Sequence, residues 1–514
     1  MAHRFNVFLA NPAPAAERIG FSFITPRALP VLAAVTQGDY LDRLRVVDQA
    51  VDDFPFDDVR RGDLVGISIH TFNAIHGYAL AREAKKRGAA VVFGGPHASI
   101  FPQEALGNGD AVVTGDGEIA WVDLLADYAA GRMQRTYSGG RVPGESFVPA
   151  RWDLMPLNRY LVASIQTVRG CPKSCSFCSV WVQDGRIPRV RATDAILQEV
   201  QYLYRAGFRL VMFADDNFYP YTLEDIAQRR SPELSQRAKT GREERLQLLN
   251  RLAREVPRDM HFCTQITMEV ADDPEFLAAM KRARIVGALI GIETITEEGL
   301  KATRKLFNSS GAALEEKLET IRQKGFPYIL GSFIFGIESD TTETLDQTIR
   351  FSRDCGIALA QFIPMTPLPG TVDFQQMRKG KNVLKLLKPD YDYWLDPDHP
   401  RVLYQHPRMA ADQILNGIER AWKEFYSWSS ITRRAKRFGL VAQPKKFLAY
   451  LVICRGLLTR YKRYGLSADS AVHGTNRKLA TMLGRVALAL MKRKPATAFA
   501  TALVFMQRMP DLSG

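Results

Sequence analysis

The stretch Arg169-Gly170-Cys171-Pro172-Lys173-Ser174-Cys175-Ser176-Phe177-Cys178-Ser179-Val180 decides how this chain is read. It places Cys171, Cys175 and Cys178 at C-x₃-C-x₂-C spacing, directly after an apolar run, ASIQTV (163–168). Three thiolates on one short loop can wrap a single cubic cluster. A [4Fe–4S] cluster held by three protein ligands keeps one iron open for another molecule. Structural zinc asks for a closed set of four nitrogen or sulfur ligands, and no fourth Cys or His lies nearby. Cys263, Cys355 and Cys454 are isolated and read as core residues.

Working outward, the cysteine loop follows the first of six strand-like runs: 163–168, 209–214, 260–266, 287–292, 328–335 and 358–363. Helical patterns fall near 193–206, 240–254, 273–283, 312–324 and 342–354. This alternation predicts a partial (βα)₆ TIM-type barrel over 161–375, with its chemistry on the C-terminal face of the strands. Upstream, the runs 5–11, 44–51, 63–70, 89–95 and 111–115, with helices at 75–87 and 118–130, predict a separate Rossmann-type, flavodoxin-like α/β domain over 1–140. Its strand ends carry polar, glycine-rich loops: Ser68-Ile69-His70-Thr71, Gly94-Gly95-Pro96-His97 and Gly115-Asp116-Gly117-Glu118. Ligands of open parallel sheets bind at such ends. Residues 141–160 read as an ordered linker, and 376–514 as a mainly helical C-terminal region with a helix over 411–427.

Composition narrows the class. The chain has 514 residues and 46% apolar residues, which excludes disordered and fibrous proteins. Six cysteines are too sparse for a disulfide scaffold. No apolar run is long enough to span a bilayer, and Phe5–Ala10 reads as a strand rather than a signal peptide. The expected location is the cytoplasm. The net charge of +14 has a local source: residues 431–514 hold 17 Lys and Arg against Asp469 and Asp511. There, basic residues flank the apolar run Phe447–Cys454. Leu479, Met482, Leu483, Val486 and Leu490 recur at helical spacing, and 496–506 is nearly all apolar. Basic apolar helices of this kind suit an anionic lipid surface, so peripheral inner-membrane association through 431–514 is expected. Nucleic acid is not an expected partner, because basic segments that bind it carry fewer long aliphatics.

The cysteine motif, with Phe177 at the aromatic position, resembles the signature of the radical SAM superfamily. The resemblance implies that the open iron chelates S-adenosylmethionine and that electron transfer yields a 5′-deoxyadenosyl radical. It further implies contacts to that cofactor from Phe177, from Asp215 and Asp216 after the second strand, and from Glu293 after the fourth. Gly331, Ser332 and Gly336, in and after the fifth strand, complete this set. Residues 1–170 lack cysteine, which sets aside the methylthiotransferase branch.

A flavodoxin-like domain ahead of such a barrel is similar to the cobalamin-dependent radical SAM family. The resemblance implies cobalamin contacts from Ser68, His70, Thr71, Gly94, Gly95, His97, Gly115, Gly117 and Glu118. No D-x-H-x-x-G motif occurs in residues 1–150, in keeping with a subgroup that holds cobalamin without a protein histidine. The activity implied is methylation of an unactivated carbon of a hydrophobic small molecule, hopanoid-like or tetrapyrrole, through methylcobalamin, with a flavodoxin or ferredoxin as reductant. Two alternatives stay open. One is a radical cyclase, oxidase or rearrangement enzyme that uses cobalamin without methyl transfer. The other is a non-catalytic cobalamin or redox sensor.

Overall fold

The computed structural model describes residues 4–458, apart from 15–17, 19, 21, 228–230, 445, 449, 452 and 456. They divide into two compact units. Unit one holds the chain to Ser164 together with Asp392–His399; unit two holds Ile165–Tyr391 and the described residues from Pro400 onward.

Unit one is built on six parallel strands: β1 (Phe5–Asn11), β2 (Leu41–Asp48), β3 (Leu64–Ser68), β4 (Ala90–Gly94), β5 (Ala111–Thr114) and β6 (Thr136–Ser138). Their order is β2-β1-β3-β4-β5-β6, so the winding direction reverses between β1 and β3. Crevices at such reversals take ligands. Both faces of the central strands are covered. Val65, Ile67 and Phe93 join one core with Tyr78 and Ala81, while Leu9, Leu64 and Val92 join another with Trp121 and Leu124. Strands buried on both faces must be apolar throughout, which is why they stand out as continuous runs in the sequence. Gly66 is required by this packing: a Cβ there would lie 2.9 Å from the Trp121 indole. β2 begins three residues earlier than its apolar run suggests, since an edge strand carries polar residues such as Asp42 and Arg43. The strand β6 was not expected at all; Thr-Tyr-Ser is too short and polar to announce itself.

In unit two the strands run in sequence order. β7 (Tyr160–Ile165) reaches it through its last residue, and Ala214 N–H donates to Ile165 O at 2.7 Å. β8 (Leu210–Phe213), β9 (His261–Ile266), β10 (Ile285–Glu293), β11 (Tyr328–Phe335) and β12 (Leu359–Pro364) follow, each parallel to the last. A helix lies between successive strands, at Thr193–Arg205, Pro232–Glu255, Pro274–Arg282, Gly311–Thr320 and Thr342–Asp354. This is the half-barrel order. The second of these helices starts well before residue 240, because Pro232 takes the first-turn position where its missing N–H costs nothing.

The C-terminal helices Ala411–Phe425 and Trp428–Arg437 complete unit two. Trp422 Nε1 donates to Phe362 O at 2.9 Å. Arg434 is buried, stacks 3.7 Å above the Phe425 ring, and donates to Phe425 O and to the Tyr450 hydroxyl. Tyr450 in turn donates to Ala358 O at 2.7 Å, and Cys454 is fully buried. The run Phe447–Cys454, expected at a lipid surface, is therefore turned partly inward, because a buried guanidinium needs partners and Tyr450 supplies one. The periodic segment 479–490 and the apolar segment 496–506 lie outside the described residues. Among the described residues, no helix is long and apolar enough to cross a membrane.

One buried histidine makes this packing pH-sensitive. His406 Nδ1 accepts from the backbone N–H groups of Arg408 and Met409, and Nε2 faces Ile337 O at 2.9 Å. The network requires the neutral ring, and burial holds the pKa below its ordinary 6.5. The unfolded chain therefore takes up this proton first as pH falls. The contribution of His406 to stability should be complete above pH 6.5, decline below it, and level off beneath the depressed folded value. Chemical denaturation at stepped pH checks this; the stability difference between the parent chain and His406→Gln should follow that course.

Candidate active site

The cysteine loop springs from the end of β7 and is closed at its base. Val168 and Arg169 pair antiparallel with Val190 and Arg189, and Cys171 N–H donates to Gly185 O at 3.1 Å. Gly170 turns at φ +92°, with Gly185 O 3.0 Å from where a Cβ would stand. Only glycine takes this turn without strain.

Two adjacent carboxylates hold the loop's root. Asp215 Oδ1 accepts from the backbone N–H groups of Thr167 (2.5 Å) and Val168 (3.0 Å), and Oδ2 accepts from the Thr167 hydroxyl. Arg245, equally buried, places Nη2 3.4 Å from Oδ2 and donates through Nη1 to Thr167 Oγ1 at 2.7 Å. Asp216 Oδ2 accepts from Gly170 N–H at 2.6 Å. Burial, with the charge of Asp184, pushes its pKa up to about 7. Asp216 is half-buried and lies within electrostatic reach of Cys171 and Cys178. The two neighbours thus differ: both oxygens of Asp215 accept hydrogen bonds from the chain in full burial, while Asp216 is half-buried, accepts from Gly170 N–H, and acts electrostatically on Cys171 and Cys178.

On the other side of the loop, Ser176 is pinned twice. Its N–H donates to Thr303 O at 3.1 Å and its hydroxyl to Asp373 Oδ2 at 2.9 Å. Glu293, the last residue of β10, sits at φ +63°, a left-handed conformation that costs a non-glycine residue energy. Its Oε1 is 2.7 Å from Lys305 Nζ, and both side chains are 8% exposed. Burial works against the ammonium, but Glu293 together with the neighbouring Cys175 and Cys178 outweighs it, so the Lys305 pKa is raised. The charge of Lys305 acts on Cys175 and Cys178, and the ammonium lies 5.9 Å from the Phe177 ring. The fifth-strand residues are placed otherwise. A Cβ on Gly331 would meet Ile357 and Ile292, Ser332 Oγ accepts from Gln361 Nε2, and Gly336 O accepts from the Tyr404 hydroxyl.

The donor set suits a cluster. Burial pushes Cys171 up to about 12 and Cys175 to about 11; such thiols ionise when metal charge replaces the proton. Among the described residues, no three His, Cys, Asp or Glu side chains gather as they would around one ion. A cubane takes each thiolate at a different iron, so its ligands stand apart.

In unit one the glycine loops lie along one edge of the sheet. Ile69 N–H donates to Gly94 O (2.9 Å) and His97 N–H to Ile69 O (3.1 Å). Gly95, at φ +93°, leaves only 2.7 Å between a would-be Cβ and Ile69 O. The loops holding Ser68 and Gly94 are therefore closely zipped. Gly115 N–H donates to Ser99 Oγ, and Gly117 opens the helix Gly117–Ala129 with Glu118 buried in its first turn. His70 is exposed beside Phe72, which is 57% exposed, and Ile119 is 54% exposed. Close-set backbone with exposed apolar side chains fits a broad, largely apolar ring. His97 is fully buried, with Nε2 3.0 Å from Glu104 Oε1 and Nδ1 3.3 Å from Thr71 Oγ1, so both nitrogens are occupied within the fold. Glu104 also accepts from Tyr78 and, at 2.9 Å, from Trp394 Nε1. Sequence reading missed Lys305, Thr167, Arg245, Asp373 and Trp394; each lies far along the chain from its partner and none belongs to a local pattern.

Comparison with known proteins agrees with both halves. The radical SAM superfamily matches residues 165–352, and the B12 binding domain family matches residues 22–125. The chain is 27% identical over 386 residues to bacteriochlorophyllide d C-8(2)-methyltransferase of Chlorobaculum tepidum, covering 72% of this chain and 79% of that protein. It is 28% identical over 361 residues to hopanoid C-2 methylase of Rhodopseudomonas palustris, covering 68% and 64%. In fold it resembles the cobalamin-dependent S-adenosylmethionine radical enzyme OxsB, with a TM-score of 0.63, 13% identity, and 99% and 85% of the two chains covered. The chain is therefore an enzyme of the iron–sulfur, S-adenosylmethionine-using kind. It has the domain architecture of the cobalamin-dependent radical SAM enzymes, a B12 binding domain followed by a radical SAM domain, and its cofactors are a [4Fe–4S] cluster, S-adenosylmethionine and cobalamin.

The lock at the loop's root predicts a measurable loss. Asp215→Ala leaves Arg245 charged and unpaired in the interior, which typically costs about 3–5 kcal/mol. The variant should denature at lower urea concentration and hold less iron per chain after anaerobic reconstitution. Asp215→Asn, which retains one acceptor, should fall between it and the parent chain.

Proposed function

We propose that this enzyme transfers a methyl group to an unactivated carbon of a hydrophobic small molecule, of the hopanoid or tetrapyrrole class. The observation that carries the reading is the pairing, in one chain, of the three-cysteine loop with a B12 binding domain. The methylase relatives support it. When bound, the cofactors supply the hard chemistry: a radical that takes hydrogen from carbon, and a methyl group to replace it. The protein's part is positioning. Cys171, Cys175 and Cys178 would hold three irons, leaving the fourth for S-adenosylmethionine. Asp216, half-buried and within electrostatic reach of Cys171 and Cys178, is the residue we assign to the cofactor's amine, and Asp215 fixes the loop on which the cysteines stand. Phe177 and Glu293 flank Lys305, while Gly331, Ser332 and Gly336, whose neighbours include Ile357, Gln361 and Tyr404, are assigned to the cofactor only through their place in and after β11. In unit one, Ser68, His70, Thr71, Gly94, Gly95, Gly115, Gly117 and Glu118 form the face for cobalamin, and buried His97 braces it.

A second reading has support of its own. The chain is 25% identical over 368 residues to an anaerobic magnesium-protoporphyrin IX monomethyl ester cyclase of Cereibacter sphaeroides, covering 65% of this chain and 55% of that protein. Cyclisation uses the same cofactors without methyl transfer. Products separate the two. With cobalamin, S-adenosylmethionine, a low-potential reductant such as flavodoxin or ferredoxin, and hopanoid or tetrapyrrole extracts, methylation should give S-adenosylhomocysteine and 5′-deoxyadenosine together. Deoxyadenosine without S-adenosylhomocysteine selects the cyclase-type reading. Cys175→Ala should abolish both products; undiminished turnover in that variant rejects the assignment altogether.

A hydrophobic substrate accords with attachment to an anionic lipid surface through the basic C-terminal residues. Truncation should begin after Leu458, because Arg434, Tyr450 and Cys454 belong to the core of unit two. The full chain should sediment with phosphatidylglycerol-containing vesicles at low salt and the truncated chain should not. Equal sedimentation of the two rules out the tail as the anchor.

A further inference from the structure

We propose that the buried pair Lys305–Glu293 sets the reduction potential of the cluster, with the Lys305 ammonium making the cluster easier to reduce. The inference rests on the reading of Cys171, Cys175 and Cys178 as cluster ligands and goes beyond it by giving Lys305 a role. Four observations converge. First, the pair is buried, with both side chains 8% exposed, so water screens its field poorly. Second, the geometry is enforced. Glu293 is held at φ +63° at the end of β10, and Asn308 Nδ2 donates to Gly291 O at 2.9 Å, tying the segment after Lys305 back to the strand. Gly291 leaves room for both charged ends, since a Cβ there would lie 2.2 Å from Glu293 Oε1 and 2.6 Å from Lys305 Nζ.

Third, the ammonium faces the cysteine loop: it lies 5.9 Å from the ring of Phe177, the residue just before Cys178, and its charge acts on both Cys175 and Cys178. Fourth, Ser176 N–H bonds Thr303 O at 3.1 Å, so the loop bearing the cysteines and the segment bearing Lys305 are fixed to each other two residues from the ammonium. Net charge around an iron–sulfur cluster sets its potential. A fixed positive charge stabilises the reduced, more negative cluster. Glu293 keeps the lysine charged and holds back part of that effect.

The pair therefore makes two opposite predictions. Each variant is reconstituted anaerobically and its iron and sulfide are counted. The cluster is then titrated by electron paramagnetic resonance without S-adenosylmethionine, so that no bound cofactor contributes. Glu293→Gln removes the restraining charge and should move the midpoint upward. Lys305→Met removes the ammonium and should move it downward, while Lys305→Arg should stay near the parent value. A pair that served only to support the fold would change thermal stability and leave the midpoint in place. Midpoints that coincide in all four proteins, or that shift the same way in both charge-removing variants, overturn the proposal while leaving the cluster intact. A Lys305→Met chain that takes up no cluster leaves Glu293→Gln and Lys305→Arg to decide by the same criterion. A parent chain that takes up no iron and sulfide is a different failure, that of the cluster reading itself.

Discussion

A carboxylate with no access to water organises the chemically important part of this protein. Asp215 gathers two backbone N–H groups, a threonine hydroxyl and a guanidinium at the end of β7. A buried charge is tolerable only with such a full set of partners. Once the set is assembled, the backbone at Thr167 and Val168 has one conformation, and Asp216 extends the same hold to Gly170. Three cysteines on a flexible loop would lose much entropy on meeting a metal group. On a loop tied at its root by Asp215 and Asp216, and at Ser176 by Thr303 and Asp373, most of that loss is already incurred in folding.

The charged groups near the thiols follow a division of work that arises from burial. Asp215 is saturated and structural. Asp216, one residue on, is half-buried and acts electrostatically on Cys171 and Cys178. Glu293 is neutralised by Lys305 and pays for its left-handed backbone through that bond. Three acids that look alike in sequence thus have three different environments, and it is the environment that assigns the role.

How much of this could be read from the chain alone follows from sequence distance. The central strands of both sheets were legible because parallel strands covered on two faces must be apolar from end to end, whereas the polar edge strand β6 was not. The cysteine loop was legible because all its donors lie within eight residues. Lys305 pairs with Glu293 across 12 residues, Thr167 with Asp215 across 48, and Ser176 with Asp373 across 197. No local period links such partners, so the residues that set the site's electrostatics stayed hidden among ordinary charged positions. His97 shows the opposite case. It was conspicuous in a glycine-rich loop, yet its ring proves to be enclosed by Thr71, Glu104 and the Phe101 and Trp394 rings.

Trp394 carries a consequence for biogenesis. It lies 290 residues from Glu104, yet it donates to that carboxylate and stacks on Phe101 with ring centroids 4.6 Å apart. The N-terminal unit is therefore not finished when its own sheet is complete. During synthesis its glycine-loop side must wait, with Glu104 and Phe101 uncovered, until the ribosome has delivered the whole intervening half-barrel. A folding domain that borrows its last piece from so late in the translation product ties the maturation of one cofactor-binding unit to the successful synthesis of the other.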